Sequence, residues 1–118
     1  MVTAEGYTVE QLASMIAMEH NANAKAFLDE STLATHADVE GKHVTFIYVS
    51  NTPKNMSKNK LDSINTMLYN EVFLKSCRVN SENPAFKMGL YYTFIYVNKY
   101  NQKISEFIVD KKRCDSLQ

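Results

Sequence analysis

The sequence predicts an α+β domain: a four-stranded, mostly antiparallel sheet with two long helices, in the order α-β-β-α-(short α)-β-β. Three observations predict it. The pentapeptide Thr-Phe-Ile-Tyr-Val occurs twice, at residues 45–49 and 93–97, and β-branched and aromatic residues that alternate across a pleat make strands. Each copy follows a segment whose apolar residues recur at helical spacing. The 48-residue offset between the copies suggests that one helix-then-strands plan is used twice. A chain of 118 residues with 45% hydrophobic content can bury one core, and one domain spanning residues 1–118 is expected, with 1–7 irregular and 115–118 a tail.

Thr8-Val9-Glu10-Gln11 fits a capping box and starts the first helix. Val9, Leu12, Ile16 and the Ala22/Ala26 positions form its stripe, and the helix ends near residue 28, where Asp29-Glu30-Ser31 interrupts the pattern. Residues 32–37 read as a short strand. Asp38-Val39-Glu40-Gly41 is turn chemistry, and residues 43–50 form a strong strand, which makes a hairpin. After the polar breaker Asn51-Thr52-Pro53-Lys54-Asn55, the stripe Leu61, Ile64, Leu68 and Val72, flanked by Met67 and Phe73, predicts a second helix over 57–76. Pro84 to Met88 reads as one helical turn closed by Gly89. Residues 90–98 and 103–110 are two further strands, joined at Lys99-Tyr100-Asn101-Gln102.

Alternation sends Val44, Phe46 and Tyr48 to one side with Tyr92, Phe94 and Tyr96, and Thr45, Ile47 and Val49 to the other with Thr93, Ile95 and Val97. Both faces are apolar and call for cover. If both helices share a face, the other presents an apolar patch on the order of several hundred Å², which favours a homodimer or a protein partner. One helix on each face leaves no such patch.

Formal charge is zero, which argues against a general nucleic-acid binder, since those present a clustered basic surface to phosphate. Residues 1–42 nevertheless hold seven acids and two Lys, against six acids and eleven bases in the remainder. Such asymmetry steers a charged partner or marks two solvated faces. No run of about 18 apolar residues is present to form a membrane span. The polar start Met1-Val2-Thr3-Ala4-Glu5-Gly6 fits either a removed export signal or a native cytosolic start.

No catalytic or cofactor motif stands out, and the chain is not expected to be an enzyme. His36 and His43 flank the first turn with Asp38 near; two imidazoles and a carboxylate can hold a metal, but cross-strand histidines on a solvated rim are the commoner case, and neither metal nor cofactor is expected. His20, with no His or Glu four residues on, reads as a surface residue. The Lys54–Lys60 segment reads as a solvated loop without aromatic platforms. Tyr91, Tyr92 and Tyr100 cluster in sequence around the second hairpin, where tyrosines suit either an interface or half-buried sheet positions. Cys77 ends the second helical pattern and Cys114 follows the last strand. They are either a disulfide stapling helix to sheet, which stabilises by about 3–4 kcal/mol and fits an oxidising compartment, or two reduced, partly buried thiols.

Cys77, Met88-Gly89, Phe94-Ile95-Tyr96 and the Phe107 strand ending at Cys114, with Phe46-Ile47-Tyr48 in the first half, form a series. It resembles a group of small two-cysteine periplasmic proteins of Gram-negative bacteria in which a Cys, a Gly, an aromatic-x-aromatic strand, a hairpin and a final Cys follow in that order. Within the group the chain is similar to periplasmic immunity proteins of Vibrio-type type VI secretion systems, which neutralise a lysozyme-like peptidoglycan-degrading effector. The likeness covers residues 8–114, and its motifs are mostly structural. It implies a Cys77–Cys114 disulfide, a periplasmic location with the export signal removed, and a toxin inhibitor that plugs the substrate cleft of a cognate peptidoglycan-hydrolase effector. No inhibitory motif carries over, and Asn98-Lys99-Tyr100-Asn101 departs from the Asp and Gly that relatives often place in the last hairpin. Because such hydrolases use acidic residues in a polysaccharide groove, a plug needs polar and basic groups on a rigid loop. Lys99 and Tyr100 are the leading partner-binding residues, followed by Lys42, His43 and Tyr91. The alternative is a periplasmic pilotin-like chaperone or assembly factor of a secretion system that holds a component through an apolar groove. A small-ligand binder, with a pocket between helix and sheet, is a third class.

Overall fold

The computed structural model describes residues 6–117. The expectations placed on residues 1–5 and 118 lie outside the described residues. Helix α1 (Val9–Ala22) starts as the sequence predicts: the Thr8 hydroxyl accepts from the Gln11 N–H at 3.0 Å, and the Gln11 side chain accepts from the Thr8 N–H at 2.8 Å. Its deepest residues are Val9, Ala13, Ala17 and His20, with Leu12 and Ile16 packed at their side. The small alanines let the helix axis approach the sheet closely, so they line the contact that the larger residues flank. A 3-10 turn, Ala24–Phe27, finishes the segment.

Strands β1 (Thr32–Glu40) and β2 (His43–Ser50) form the first hairpin. Glu40 pairs with His43, so the turn is only Gly41-Lys42, and Gly41 supplies the positive φ (61°) that a two-residue turn requires. The turn expected at 38–41 is therefore shifted, because pairing claims Asp38, Val39 and Glu40 for the strand. The same register sets His36 opposite Ile47 rather than His43, which separates the two imidazoles of the candidate metal set. Among the described residues, no group of three His, Cys, Asp or Glu side chains is placed to hold a metal.

Helix α2 (Lys58–Leu68) continues through a π-helical segment, Tyr69–Leu74, into α3 (Lys75–Asn80). Its deepest residues are Leu68, Phe73 and Cys77. The step from 68 to 73 is five residues, which an α-helix cannot keep on one face but a π turn can. Phe73 thereby takes the inward place expected of Val72. Helix α4 (Pro84–Lys87) follows, with Pro at its start and Asn83 capping the Ala85 N–H, and Gly89 at φ 110° turns the chain into β3 (Tyr91–Asn98). β4 (Lys103–Val109) leads into a short helix, α5 (Lys111–Asp115), capped by the Asp110 carboxylate on the Arg113 N–H at 2.8 Å. Residue 115, expected in the tail, closes α5, and residues 116 and 117 follow it.

The sheet order is β1-β2-β3-β4. The two outer pairs are antiparallel hairpins and the central pair is parallel, so a crossover through α2, α3 and α4 carries the chain back between β2 and β3. The two copies of the pentapeptide are these central neighbours, and they align without offset: Thr45 beside Thr93, Phe46 beside Phe94, Ile47 beside Ile95, Tyr48 beside Tyr96, Val49 beside Val97. Phe46 stacks on Phe94 at 5.1 Å and Tyr48 on Tyr96 at 5.0 Å, pairs that contribute about 0.5–1.5 kcal/mol each beyond their burial.

Both helical layers pack on this aromatic face. α1 lies over β1 and β2, and α2 lies over β4, with Phe73 edge-on to Phe107. The core joins Val9, Ala13, Ala17, Phe73, Cys77, Phe86 and Leu90 to Ala37, Val44, Tyr92 and Val109 of that face. The opposite face, with Ile47, Val49, Ile95, Val97 and Ile108, contributes nothing to the core cluster. Of the two arrangements the sequence left open, the helices share a face.

Candidate protein-binding groove

Because α1 covers the β1–β2 end of the aromatic face and α2 the β4 end, the aromatic ladder stays half-buried: Phe46, Tyr48, Phe94, Tyr96 and Phe107 all keep contact with solvent although they lie on the helix-covered face. A groove of about 340 Å³ opens there. Tyr48 and Tyr96 floor it, and Ile64, Met67, Leu68 and Ile104 form the α2-side wall. The chain at Glu30, Ser31 and Thr32, with Asn51 and Thr52, forms the opposite rim. That rim is fixed by the Asp29 carboxylate accepting from the Ser31 and Thr32 N–H groups, both at 2.8 Å, and by the Asn51 N–H donating to the Ser31 carbonyl at 2.8 Å. The α2 wall is fixed by the Asn65 side chain, which donates to the Ile104 carbonyl at 3.0 Å.

One apolar side chain of the α2 wall, and two that precede the opposite rim in the chain, stand out of the fold. Met67 is 53% exposed, and Phe27 and Leu28 are 44% and 41% exposed. Burial pushes the hydroxyls of Tyr48 and Tyr96 above the ordinary phenol range, with the neighbouring tyrosine adding to the effect at Tyr96, so both stay neutral donors. Among the described residues, neither hydroxyl has a hydrogen-bond partner, whereas the Tyr92 hydroxyl donates to Asn80 at 3.3 Å. Half-buried hydroxyls without partners, set between apolar walls, suit the main-chain groups of a docked polypeptide.

His20 supports the α1 side of the groove and is not the surface residue its sequence context suggests. It is 8% exposed, stacks on Phe27 at 4.7 Å and meets the Phe46 and Tyr48 rings edge-on. The Thr35 hydroxyl donates to the Ile47 carbonyl at 2.9 Å, so the His20 Nε2–H donates to Thr35, also at 2.9 Å. Desolvation, then the neighbouring His36, lowers its pKa. Its position as the next α1 step after Ala13 and Ala17 was the available signal.

The partner-binding residues predicted from sequence fall into two places. Lys42, His43 and Tyr91 share one end of the sheet: His43 stacks on Tyr91 at 4.3 Å and bonds Thr93 at 2.7 Å, and Lys42 reaches the Met88 carbonyl at 3.4 Å. Lys99 and Tyr100 stand at the other end, about 25 Å away along strands that rise roughly 3.3 Å per residue. Parallel pairing of β2 with β3 puts the two turns at opposite ends of the sheet, and Tyr91 and Tyr100 do not cluster because one opens β3 and the other follows its end. Cys77 and Cys114 are joined as a disulfide that ties α3 to α5, with Cα atoms 5.3 Å apart. This removes the reduced-thiol alternative and fits an oxidising, extracytoplasmic compartment. No helix among the described residues is long and apolar enough to cross a membrane.

No known family matches the chain, and no curated protein is significantly similar to it in sequence. Three solved structures share its fold. The type II secretion system pilotin AspS of Vibrio cholerae is 21% identical with a TM-score of 0.58, over 90% of this chain and 92% of that one. The pilotin EpsS of the Vibrio vulnificus type 2 secretion system is 17% identical with a TM-score of 0.56, over 90% and 91%. A candidate secreted protein of Pseudomonas aeruginosa is 13% identical with a TM-score of 0.63, over 90% and 92%. These likenesses overturn the expectation of a type VI immunity protein that inhibits a peptidoglycan hydrolase: two of the three are type II secretion pilotins. The residues that carried the earlier resemblance explain the error. Cys77 and Cys114 form the staple, Gly89 supplies a positive φ, and Phe94 and Tyr96 belong to the sheet ladder. They report the architecture and say nothing of an inhibitory surface. What the chain is similar to in fold is a pilotin of the type II secretion system.

Proposed function

We propose that the protein is a pilotin-like chaperone or assembly factor of a secretion system, acting in the periplasm by binding a protein component and carrying out no chemistry of its own. The observation that carries this reading is the groove between α2 and the rim at residues 30–32 and 50–52, with the exposed Met67 on its wall and two unpartnered tyrosine hydroxyls on its floor. The shared fold with two type II secretion pilotins supports the same reading. The partner contributes a segment whose apolar side chains enter between the walls and whose main chain meets Tyr48 and Tyr96.

The test is pull-down from periplasmic extract, followed by titration with the purified secretion component recovered. Met67→Glu places a charge on the exposed lip without touching the core and is expected to weaken binding by tenfold or more, as a desolvated charge in an apolar contact does. Undiminished binding by this variant removes the groove from the account. The open sheet face favours a second contact, between two copies of the chain through Ile47, Val49, Ile95 and Val97. Analytical ultracentrifugation decides that: a monomer at all concentrations excludes it.

A further inference from the structure

The loop 51–57 and the turn between β3 and β4 form one rigid, positively charged corner beside the groove. Asn98, 2% exposed, is its hub. The Asn98 Nδ2 donates to the Gln102 Oε1 at 2.9 Å and the Pro53 carbonyl at 3.4 Å, and its Oδ1 accepts from the N–H groups of Tyr100 at 2.9 Å and Gln102 at 3.0 Å. Gln102 and Asn55 exchange two further bonds, Gln102 Nε2 to Asn55 Oδ1 at 2.9 Å and the Asn55 N–H to Gln102 Oε1 at 3.2 Å. Asn55 and Asn101, at φ 59° and 62°, make the tight bends on either side. On this base Lys54 and Lys99 both approach one ring, that of Tyr100, with ammonium groups 5.7 and 5.5 Å from its centroid.

The charge at this corner is uncompensated. Lys58, Lys87, Lys103, Lys111 and Arg113 each lie within salt-bridge distance of a carboxylate. Among the described residues, Lys54 and Lys99 have none, nor do Lys25, Lys42, Lys60, Lys75, Arg78 and Lys112; what sets Lys54 and Lys99 apart is that they share a half-exposed aromatic ring. The corner is continuous with the groove, for Thr52, Tyr96 and Ile104 line the groove and stand one or two positions from Pro53, Asn98 and Gln102. The other rim carries the exposed Glu30.

We infer that Lys54, Lys99 and Tyr100 form a carboxylate-recognising corner, and that the polypeptide segment taken by the groove carries Asp or Glu at the end lying on it. This rests on the groove reading of the preceding subsection and adds a direction to it: apolar residues fill the groove, and an acidic end sets which way the segment lies. Two ammonium donors on a fixed base hold a carboxylate with less lost side-chain freedom than two independent surface lysines.

The experiment uses the whole chain and two fluorescent peptides with the same leucine stripe, one ending in three glutamates and the other in three glutamines. The glutamate peptide is expected to bind about tenfold tighter at low salt, as partly exposed charge pairs allow. That preference should vanish in the K54Q/K99Q double variant and at high salt, while the uncharged Met67→Gln weakens both peptides alike. Equal binding of the two peptides to the unaltered chain overturns the corner and leaves the groove standing. Failure of both peptides to bind overturns corner and groove together. Binding to phosphatidylglycerol vesicles that is lost in K54Q/K99Q, with no discrimination between peptides, assigns the corner to a lipid surface and overturns it as a peptide site. The substituted lysines are exposed, and an unchanged thermal melt of K54Q/K99Q shows that folding is not the cause.

Discussion

Three asparagine and histidine side chains hold positions that their sequence context does not announce. Asn21 donates to the Ala37 carbonyl at 2.9 Å and accepts from the Ala37 N–H at 2.7 Å, so a side-chain amide occupies the outer edge of β1 where another strand would otherwise pair. Asn98 holds two loops together, and its replacement by Ala strands the Tyr100 and Gln102 N–H groups. A loss of about 2–3 kcal/mol is expected, measured by urea unfolding. His20 gives a pH dependence. Its folded-state pKa is lowered from 6.5, by desolvation first, so the unfolded chain takes up the proton more readily than the folded one. The stability held by neutral His20 is complete above the unfolded value of 6.5 and is lost as pH falls through the lower folded value. Melting temperature should therefore drop as the pH falls from 6.5 through the folded value and level off below it, and the drop should be smaller in His20→Gln. An equal drop in both proteins assigns the effect to other groups.

Most elements were legible because they are written in local signals. The Thr8/Gln11 capping box, the Pro84 start and Gly89 end, and the repeated strand each specify their own geometry. The elements misread are those decided by packing. Nothing local in Leu68 to Cys77 announces a π segment, and it becomes sensible only when Phe73 must reach Phe107. Helix α5 is too short for a periodic pattern and is held by the Asp110 cap and the disulfide. That disulfide closes a loop of 37 residues containing α4, β3 and β4, for which chain entropy gives about 4 kcal/mol. A Cys77→Ala/Cys114→Ala chain should lose most of that in urea titration, and adding reductant to it should change nothing further. Equal stability of the two proteins would show that the loop is already constrained in the unfolded chain.

For the molecule as a whole, the sequence alternation made the two-faced sheet readable, but not which face the helices choose. That choice decides the function proposed, since the groove opens on the helix-covered face, between α2 and the rim at residues 30–32 and 50–52. Its lining comes from four separate stretches, near residues 30, 50, 66 and 100, and no spacing within any one of them marks it. Lys99 and Tyr100 were singled out in the sequence because a basic residue beside a tyrosine in a turn is a local pattern. Lys54, read as part of a solvated loop, joins them only through Asn98, Gln102 and Asn55.

The duplicated strand also has a cost. An uncharged five-residue run free of Pro and Gly, lying beside its own copy without offset, has the geometry that cross-β fibrils repeat indefinitely. Within the folded chain both copies are interior strands, so each is saturated by neighbours and no growing end exists. Released from that confinement, every molecule brings two identical adhesive segments, enough to chain one molecule to the next. The isolated pentapeptide is expected to form thioflavin-positive fibrils. The reduced protein should do so when partly unfolded, and Ile95→Lys, which breaks the identity of the ladder, should suppress it. The fold thus confines a repeated segment whose composition and pairing suit cross-β stacking.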